Sequence, residues 1–510
     1  MTPPVALQKI IDRVDAVLGE TSRLLEPRHV QLFFLVFCGV LLFLGRINEI
    51  GLANDADAWY AQKAWEMLRT GSYMIVYYLG APSFINPPFP IWLQALSLKL
   101  FGETSAFAAV LPSALMALAT VVLTYRIVEK LFGNRWVAFL SGMILIFPGF
   151  YLDNARRAQV DVPLTFLILA VLYCGLKAEK NPKWYLVGGL LTGFGILTKS
   201  VMGLFPLIIL FVYLLMTGQG RRMLGGYAFL GVVLALGVGG SWFVIGYLEF
   251  PEQFVNEQFK QNLMSRSQAA NTGWYFLGYV HQLFKNYWPW FPFAVGGAVL
   301  FARRYWKERD RACLLVLLWA GVIIGIMSLS RGQTFHYILG AFPPLAILSA
   351  SAIDHWTSSL WKHRVGAACA GVIVLTVVMV AATPVEIRSA VSLSKNHPEL
   401  RALAPVIAAN VAPGERIRNY NVLDASIGRV HTLYFYSKRI LNYTGPVKPQ
   451  ALLNSLQKEP QHFWMTPTPV FRDFARAHPN TAYLVQGNET MSFFTSWKNR
   501  DRVVYVTALN

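Results

Sequence analysis

Asp55 and Asp57 stand one residue apart in the stretch NDADAWYAQ, shortly after a long apolar run ends. Two carboxylates so spaced can take a proton from a sugar or acceptor hydroxyl, or hold a divalent cation such as Mg²⁺ or Mn²⁺ on oxygen ligands. A plainer reading makes Asn54 or Asp55 the N-cap of a helix through ADAWYAQKAWEML, with the acids favoured by the helix dipole. The two readings are compatible. Asp161, in RRAQVDVPLTF, lies at the end of an apolar span, where an ionisable group is costly and is therefore a functional candidate. Arg156 and Arg157 precede it; the structural alternative is a local ion pair, or a helix start with Asp161 as cap and Pro163 in the first turn. Lys199, in GILTKSVMGLFP, sits between two apolar spans, and Arg331 and His336 flank another. Cations beside acids suit a substrate that carries phosphate. Against that, Lys199 and Arg331 can simply snorkel to the interface, and His336 can be a satisfied structural histidine.

The elements that position these groups are membrane helices. With 55% hydrophobic and 14% charged residues and a mean hydropathy of +0.42, the 510-residue chain is too apolar for an ordinary soluble protein. Apolar runs near 30–46, 105–125, 136–152, 159–176, 184–198, 201–217, 224–247, 286–302, 312–329, 334–352 and 365–382 predict about eleven crossings of a hydrocarbon core some 30 Å thick, with 88–101 as a further helix. If the N-terminus is cytoplasmic, alternation puts the clusters Arg126/Lys130/Arg135, Lys177/Lys180/Lys183, Arg221/Arg222, Arg303–Arg311 and Lys362/Arg364 inside, as the positive-inside rule requires. Arg156 and Arg157 are the exception. The first outer loop 47–104, Asp161, Lys199, Arg331, His336 and the tail from 383 then share the outer face. The net charge of +18 thus reads as topology with an attraction for anionic membrane lipid, and not as a nucleic-acid surface.

The fold expected is an all-α polytopic membrane domain followed by a small C-terminal extracytoplasmic α/β domain. Its parts are an interfacial amphipathic helix over 1–29, a transmembrane domain over 30–382, and the tail over 383–510. Within the tail, HTLYFYSKRI and TAYLVQG read as strands, and PELRALAPVIAANV and PVFRDFARAHP as helices. The four cysteines, Cys38, Cys174, Cys313 and Cys369, fall in apolar runs and indicate neither disulfide nor thiolate metal site. SFINPPFPIWLQAL joins a diproline to an aromatic run suited to the membrane surface. P-loop, GxSxG and HExxH motifs are absent from the sequence.

Together these segments resemble the GT-C superfamily of membrane glycosyltransferases, in the branch of the protein O-mannosyltransferases and lipid A aminoarabinose transferases. The resemblance rests on five ordered motifs: the acidic pair; YAQKAWEMLRTG; FINPP; Asp161 before VPL; and LTKS followed by FHYILGAFPPLAIL. It implies an inverting transferase that takes a sugar from a polyprenyl monophosphate carrier, of the undecaprenyl type, and passes it to lipid A, another glycan or a protein. The site would face the periplasm from the cell inner membrane. Asp55 or Asp57 would act as base, with any metal on the same pair; Asp161 would help position substrate, and Lys199 and Arg331 would meet the carrier phosphate. Trp59, before Tyr60, and Asn86, before the diproline, stand where that branch carries basic phosphate-binding residues; Arg156 and Arg157 are the replacements at hand. A non-catalytic transporter of lipid-linked saccharides is the other class considered, but the candidate groups crowd at one face instead of spreading through the midplane.

Overall fold

The computed structural model describes residues 26–52, 55–258, 277–330, 333–356, 398–413, 415–420, 427–441, 448–487 and 491–504. Residues 1–25 of the expected amphipathic segment 1–29, Arg331 and the last expected span, 365–382, lie outside these residues, as does the side chain of Asp55. The other ten expected runs contain helices, and the chain is a multi-span membrane protein. Among the described residues, six helical stretches are long and apolar enough to cross a membrane, or seven if the pair Arg135–Ile146 and Gly149–Ala155, bent by 72°, is one span. Arg28–Leu44 and Phe89–Phe101 are shorter apolar helices.

One of the six stretches, Trp184–Met216, is turned back on itself. Ser200, at φ +46°, follows the helix Trp184–Lys199, and a single 3₁₀ turn, Ser200–Leu204, leads into Phe205–Met216. Gly195 and Gly203 touch backbone to backbone, so close that a Cβ on Gly203 would lie 2.2 Å from the Gly195 carbonyl carbon. Lys199 is therefore placed at a hairpin apex, as the absence of a loop in the sequence predicts. Small residues also let the next helix, Gly226–Glu249, approach closely: a Cβ on Gly189 would meet the Gly231 carbonyl oxygen at 2.1 Å.

The tail forms a mixed five-stranded sheet. With strands numbered in chain order, β1 is Tyr77–Tyr78, β2 Ala81–Pro82, β3 Arg416–Asn419, β4 Ile440–Leu441, β5 Phe463–Pro467, β6 Ala482–Gly487 and β7 Met491–Ser496. β1 and β2 make a small hairpin in the first loop, and the tail sheet runs β4-β3-β5-β7-β6. Its first two pairings are parallel and the others antiparallel. TAYLVQG is a strand and the two expected helices form, as Pro398–Asn410 and Thr468–Ala477. HTLYFYSKRI is not a strand: Ile427–Ser437 is a helix, and only Ile440–Leu441 at its end pairs. A short aromatic run cannot be assigned by period alone, and here packing decides. His431, Phe435 and Lys438, at helical spacing, all meet the membrane domain or each other: His431 contacts Tyr78, and Lys438 lies 4.5 Å from the Phe435 ring centroid and 4.7 Å from that of Trp65.

This helix docks on Asp55–Thr70, the helix that carries the acidic pair. Lys438 Nζ donates to the Glu103 carbonyl at 2.6 Å, Arg401 donates to the Asn48 carbonyl at 3.3 Å, and the Tyr436 hydroxyl accepts from Leu52 N at 3.4 Å. Burial pushes the Lys438 pKa down to about 7, with Glu103 pulling it back up. Lys438→Met, which removes the donor and the cation over Trp65, is expected to loosen the dock by about 1–3 kcal/mol. Limited proteolysis would read this as cleavage of the tail several-fold faster than in wild type, with the membrane domain left intact.

Candidate active site

Three separated stretches of sequence meet beneath the docked tail. The helix Asp55–Thr70 contributes Asp57, which is fully buried. Its Oδ1 accepts from Gln159 Nε2 at 3.1 Å, and the Gln159 carbonyl accepts from Ser113 at 3.0 Å, so the turn before Asp161 is pinned on both sides. Two residues on, Asp161 opens the helix Asp161–Ala178. Its carboxylate does not cap that helix; it reaches the hairpin apex, where Lys199 Nζ lies 2.5 Å from Oδ1, with the two side chains only 5% and 11% exposed. The ammonium also stands 4.2 Å from the ring centroid of Tyr337, which packs edge-on against His336. Asp57 is thus tied to Gln159, and Asp161, two residues further along the chain, to Lys199, Tyr337 and His336. Neither local pairing of Asp161 nor snorkelling of Lys199 describes what is found.

The two arginines have other tasks. Arg156 donates to the carbonyls of Leu42 and, at 2.9 Å, Gly45, satisfying the end of the helix Arg28–Leu44. A cation there also suits the negative end of the helix dipole. Arg157 pairs with Asp153 at 2.5 Å. Arg156 at a helix end and Arg157 beside Asp153 thus each have a partner within the protein on the outer face. Asn86 keeps a buried side-chain oxygen without a hydrogen-bond partner among the described residues, and its FINPP segment is clamped through Phe84, whose N donates to Glu257 at 2.6 Å and whose carbonyl accepts from Gln258. Among the described residues no group of three or more His, Cys, Asp or Glu side chains gathers as a metal site.

A second cluster, unread in the sequence, lies along the same first-loop helix. Lys63 is wholly buried, with its Nζ 3.4 Å from the Trp59 ring centroid and without a hydrogen-bond acceptor among the described residues. Glu66 accepts from Leu79 N at 2.7 Å and Gly80 N at 3.0 Å, holding the β1–β2 turn, where both residues have positive φ. Trp59 meets Tyr60 and Tyr78 edge-on at 5.0 and 5.9 Å, and Tyr78 hydrogen-bonds His431 from the tail. Burial, with Lys63 adding to it, pushes the His431 pKa down to about 4, so this contact joins neutral groups at neutral pH. The signal for Lys63 was in the sequence: it stands four residues after Trp59 and three before Glu66 on one helix. Gln159 was in view between Arg157 and Asp161, but its partner was not; His431 and Tyr78 meet only through tertiary folding.

Burial pushes the Lys63 pKa down to about 7, opposed by the charges of Glu257 and Glu66. A lysine in an unfolded chain titrates near 10.4. Between these values the unfolded state binds more protons, so this residue's unfavourable share is full below pH 7 and fades as pH rises toward 10. Lys63→Met is expected to abolish that part of the rise, read as a smaller gain in Tm between pH 6.5 and 9.5 than wild type shows.

Against known proteins, residues 85–242 match the family model described as dolichyl-phosphate-mannose-protein mannosyltransferase. A protein of Aquifex aeolicus described only as uncharacterized is 27% identical over 426 residues, 82% of this chain and 80% of that one. The undecaprenyl phosphate-alpha-4-amino-4-deoxy-L-arabinose arabinosyl transferase of Pseudomonas savastanoi is 27% identical over 341 residues, 64% of this chain and 62% of its own length. The match therefore spans about three fifths of that transferase. Among solved structures, ArnT from Cupriavidus metallidurans bound to undecaprenyl phosphate superposes with a TM-score of 0.71 at 20% identity, over 92% of this chain and 98% of that one. The chain thus has the GT-C fold of membrane glycosyltransferases and resembles the branch that contains the aminoarabinose transferases and protein O-mannosyltransferases.

Proposed function

We propose that this protein transfers a sugar from a polyprenyl monophosphate carrier, of the undecaprenyl type, to an acceptor hydroxyl at the periplasmic face of the inner membrane, with inversion at the anomeric carbon. The observation that carries the reading is the convergence of Asp57, Gln159, Asp161 and Lys199 at one end of the bundle, roofed by the tail. A phosphate-linked sugar is already activated, so the protein must place the acceptor, take its proton and receive the leaving phosphate. The acceptor oxygen attacks the anomeric carbon, its proton passes to Asp57 or Asp55, and the carbon–oxygen bond to the carrier breaks with its electron pair going to the phosphate. Gln159 aims the Asp57 carboxylate. The Lys199 ammonium has three N–H donors, so the pair with Asp161 leaves capacity for a phosphate oxygen. Trp59, Tyr60 and Asn86 line the approach in this reading, with His336 behind Tyr337. A divalent cation on the acidic pair remains a separate proposal, and no step above is routed through one.

Lipid A is the acceptor suggested by the likeness to aminoarabinose transferases, and a protein hydroxyl the one suggested by the mannosyltransferase model. Mass spectrometry of lipid A, surface glycans and envelope proteins decides between them, in cells with and without the gene, complemented by wild type or by Asp55→Asn/Asp57→Asn. A sugar mass lost on deletion and restored by wild type alone names donor sugar and acceptor class. No glycan change in any fraction favours the transporter and overturns the enzyme reading.

A further inference from the structure

A cavity of about 560 Å³ opens among the helices Asp161–Ala178, Trp184–Lys199, Phe205–Met216 and Gly226–Glu249, running from Leu204, in the turn that follows Lys199, to Trp184, Met223 and Leu224 at its other end. Its wall is apolar, with Val171, Leu207, Phe211, Leu214, Leu224 and Ala228 among the lining residues. The volume falls within the roughly 300–1,000 Å³ of small-molecule sites. It is not closed to the surroundings: Phe211 is 53% and Leu224 85% exposed.

At the Trp184 and Leu224 end of the cavity, the lining residues are next in sequence to basic ones. Tyr185 and Trp184, which line it, follow Lys183, and Met223 and Leu224 follow Arg221 and Arg222. The two turns that border it, 177–183 and 220–224, carry Lys177, Lys180, Lys183, Arg221 and Arg222 against a single acid, Glu179. That acid takes up only part of the charge, with Arg222 3.7 Å from it. Lys177 lies 6.0 Å from the Trp184 ring centroid, and tryptophan is the residue enriched where headgroups meet the hydrocarbon. A dry apolar slot with basic turns at one end matches a molecule with a fatty chain and a negative head.

We propose that this cavity is a binding site for an anionic glycerophospholipid, with one acyl chain in the slot and its phosphate among Lys183, Arg221 and Arg222. The carrier lipid is the poorer occupant. Lys199 stands at the far end of the 16-residue helix Trp184–Lys199, about 22 Å from Trp184 along the axis, so a phosphate held at the acidic site cannot use these cations. The site goes beyond the transfer reaction and stands whether or not that reading holds. A lipid seated here would brace the hairpin Trp184–Met216, which presents Lys199 from its apex.

The test is native mass spectrometry of the full-length protein in detergent, with phosphatidylglycerol and phosphatidylcholine added together at equal concentration. One phosphatidylglycerol is expected to be retained in preference. Arg221→Gln/Arg222→Gln, at exposed positions, is expected to lower that preference by roughly tenfold. Ala228→Trp fills the slot while keeping the cations, and is expected to remove the retained lipid of either head. Equal retention of the two lipids by wild type, or a preference untouched by the arginine changes, would mean only annular lipid and overturn the proposal. A retained mass matching a polyprenyl phosphate would give the slot to the carrier tail and overturn it equally. If Ala228→Trp does not fold, the arginine variant decides alone.

Discussion

Asp57→Asn lowers kcat for sugar transfer by about 10²–10⁴-fold, the usual worth of a positioned base, and leaves the protein folded. Asparagine keeps an oxygen where Asp57 Oδ1 accepts from Gln159 Nε2 at 3.1 Å, so the bond that fixes the turn before Asp161 survives. What is lost is the ability to take a proton. KM for the carrier is expected to change little, since the missing interaction is made with the acceptor proton in the transition state. Gln159→Ala, by contrast, leaves the base present but unaimed, and a smaller loss of about tenfold is expected. Initial rates with a labelled polyprenyl-phosphate sugar, beside melting curves of the same preparations, check both. An Asp57→Asn enzyme that transfers at the wild-type rate removes Asp57 from the chemistry and leaves Asp55 as the base to be tested.

The membrane architecture was legible because it is written in composition: long apolar runs, basic short loops and the order of motifs all survive in one dimension. The candidate residues were legible for the same reason, since Asp57, Asp161 and Lys199 are ionisable groups at places where charge is expensive. Their pairing was not. Asp161 was set beside Arg156 and Arg157 because they are near in sequence, whereas folding gives it Lys199 and sends Arg156 to the end of the helix Arg28–Leu44. Lys63 shows its spacing to Trp59 and Glu66 in the sequence, but its burial is visible only in the fold, where the tail and the β1–β2 hairpin close over it. The misread strand HTLYFYS has the same cause. Its aromatic residues suit either structure, and the surface of the helix Asp55–Thr70 on which it docks is supplied by residues more than 350 positions away.

The Asp161–Lys199 pair separates structure from chemistry in one experiment. Asp161→Asn or Lys199→Met alone leaves one charge nearly buried without its partner, and each is expected to cost about 3–5 kcal/mol of stability. The double change Asp161→Asn/Lys199→Met removes both charges, and most of that loss is expected to return, because the desolvation of two ions is avoided together with their attraction. Sugar transfer follows a different course if Lys199 meets the carrier phosphate. The double variant is then stable and still poor, with kcat/KM for the donor down by about 10²-fold, the cost of losing one charged donor to a developing anion. Lys199→Arg keeps a cation but replaces a compact ammonium by a planar fork, at a site where the ammonium also stands 4.2 Å from the Tyr337 ring centroid. It is expected to fall between wild type and the double variant. Recovery of stability and transfer together in the double variant would make the pair a strut holding the hairpin apex against the helix Asp161–Ala178, and the carrier phosphate would have to be met by other residues.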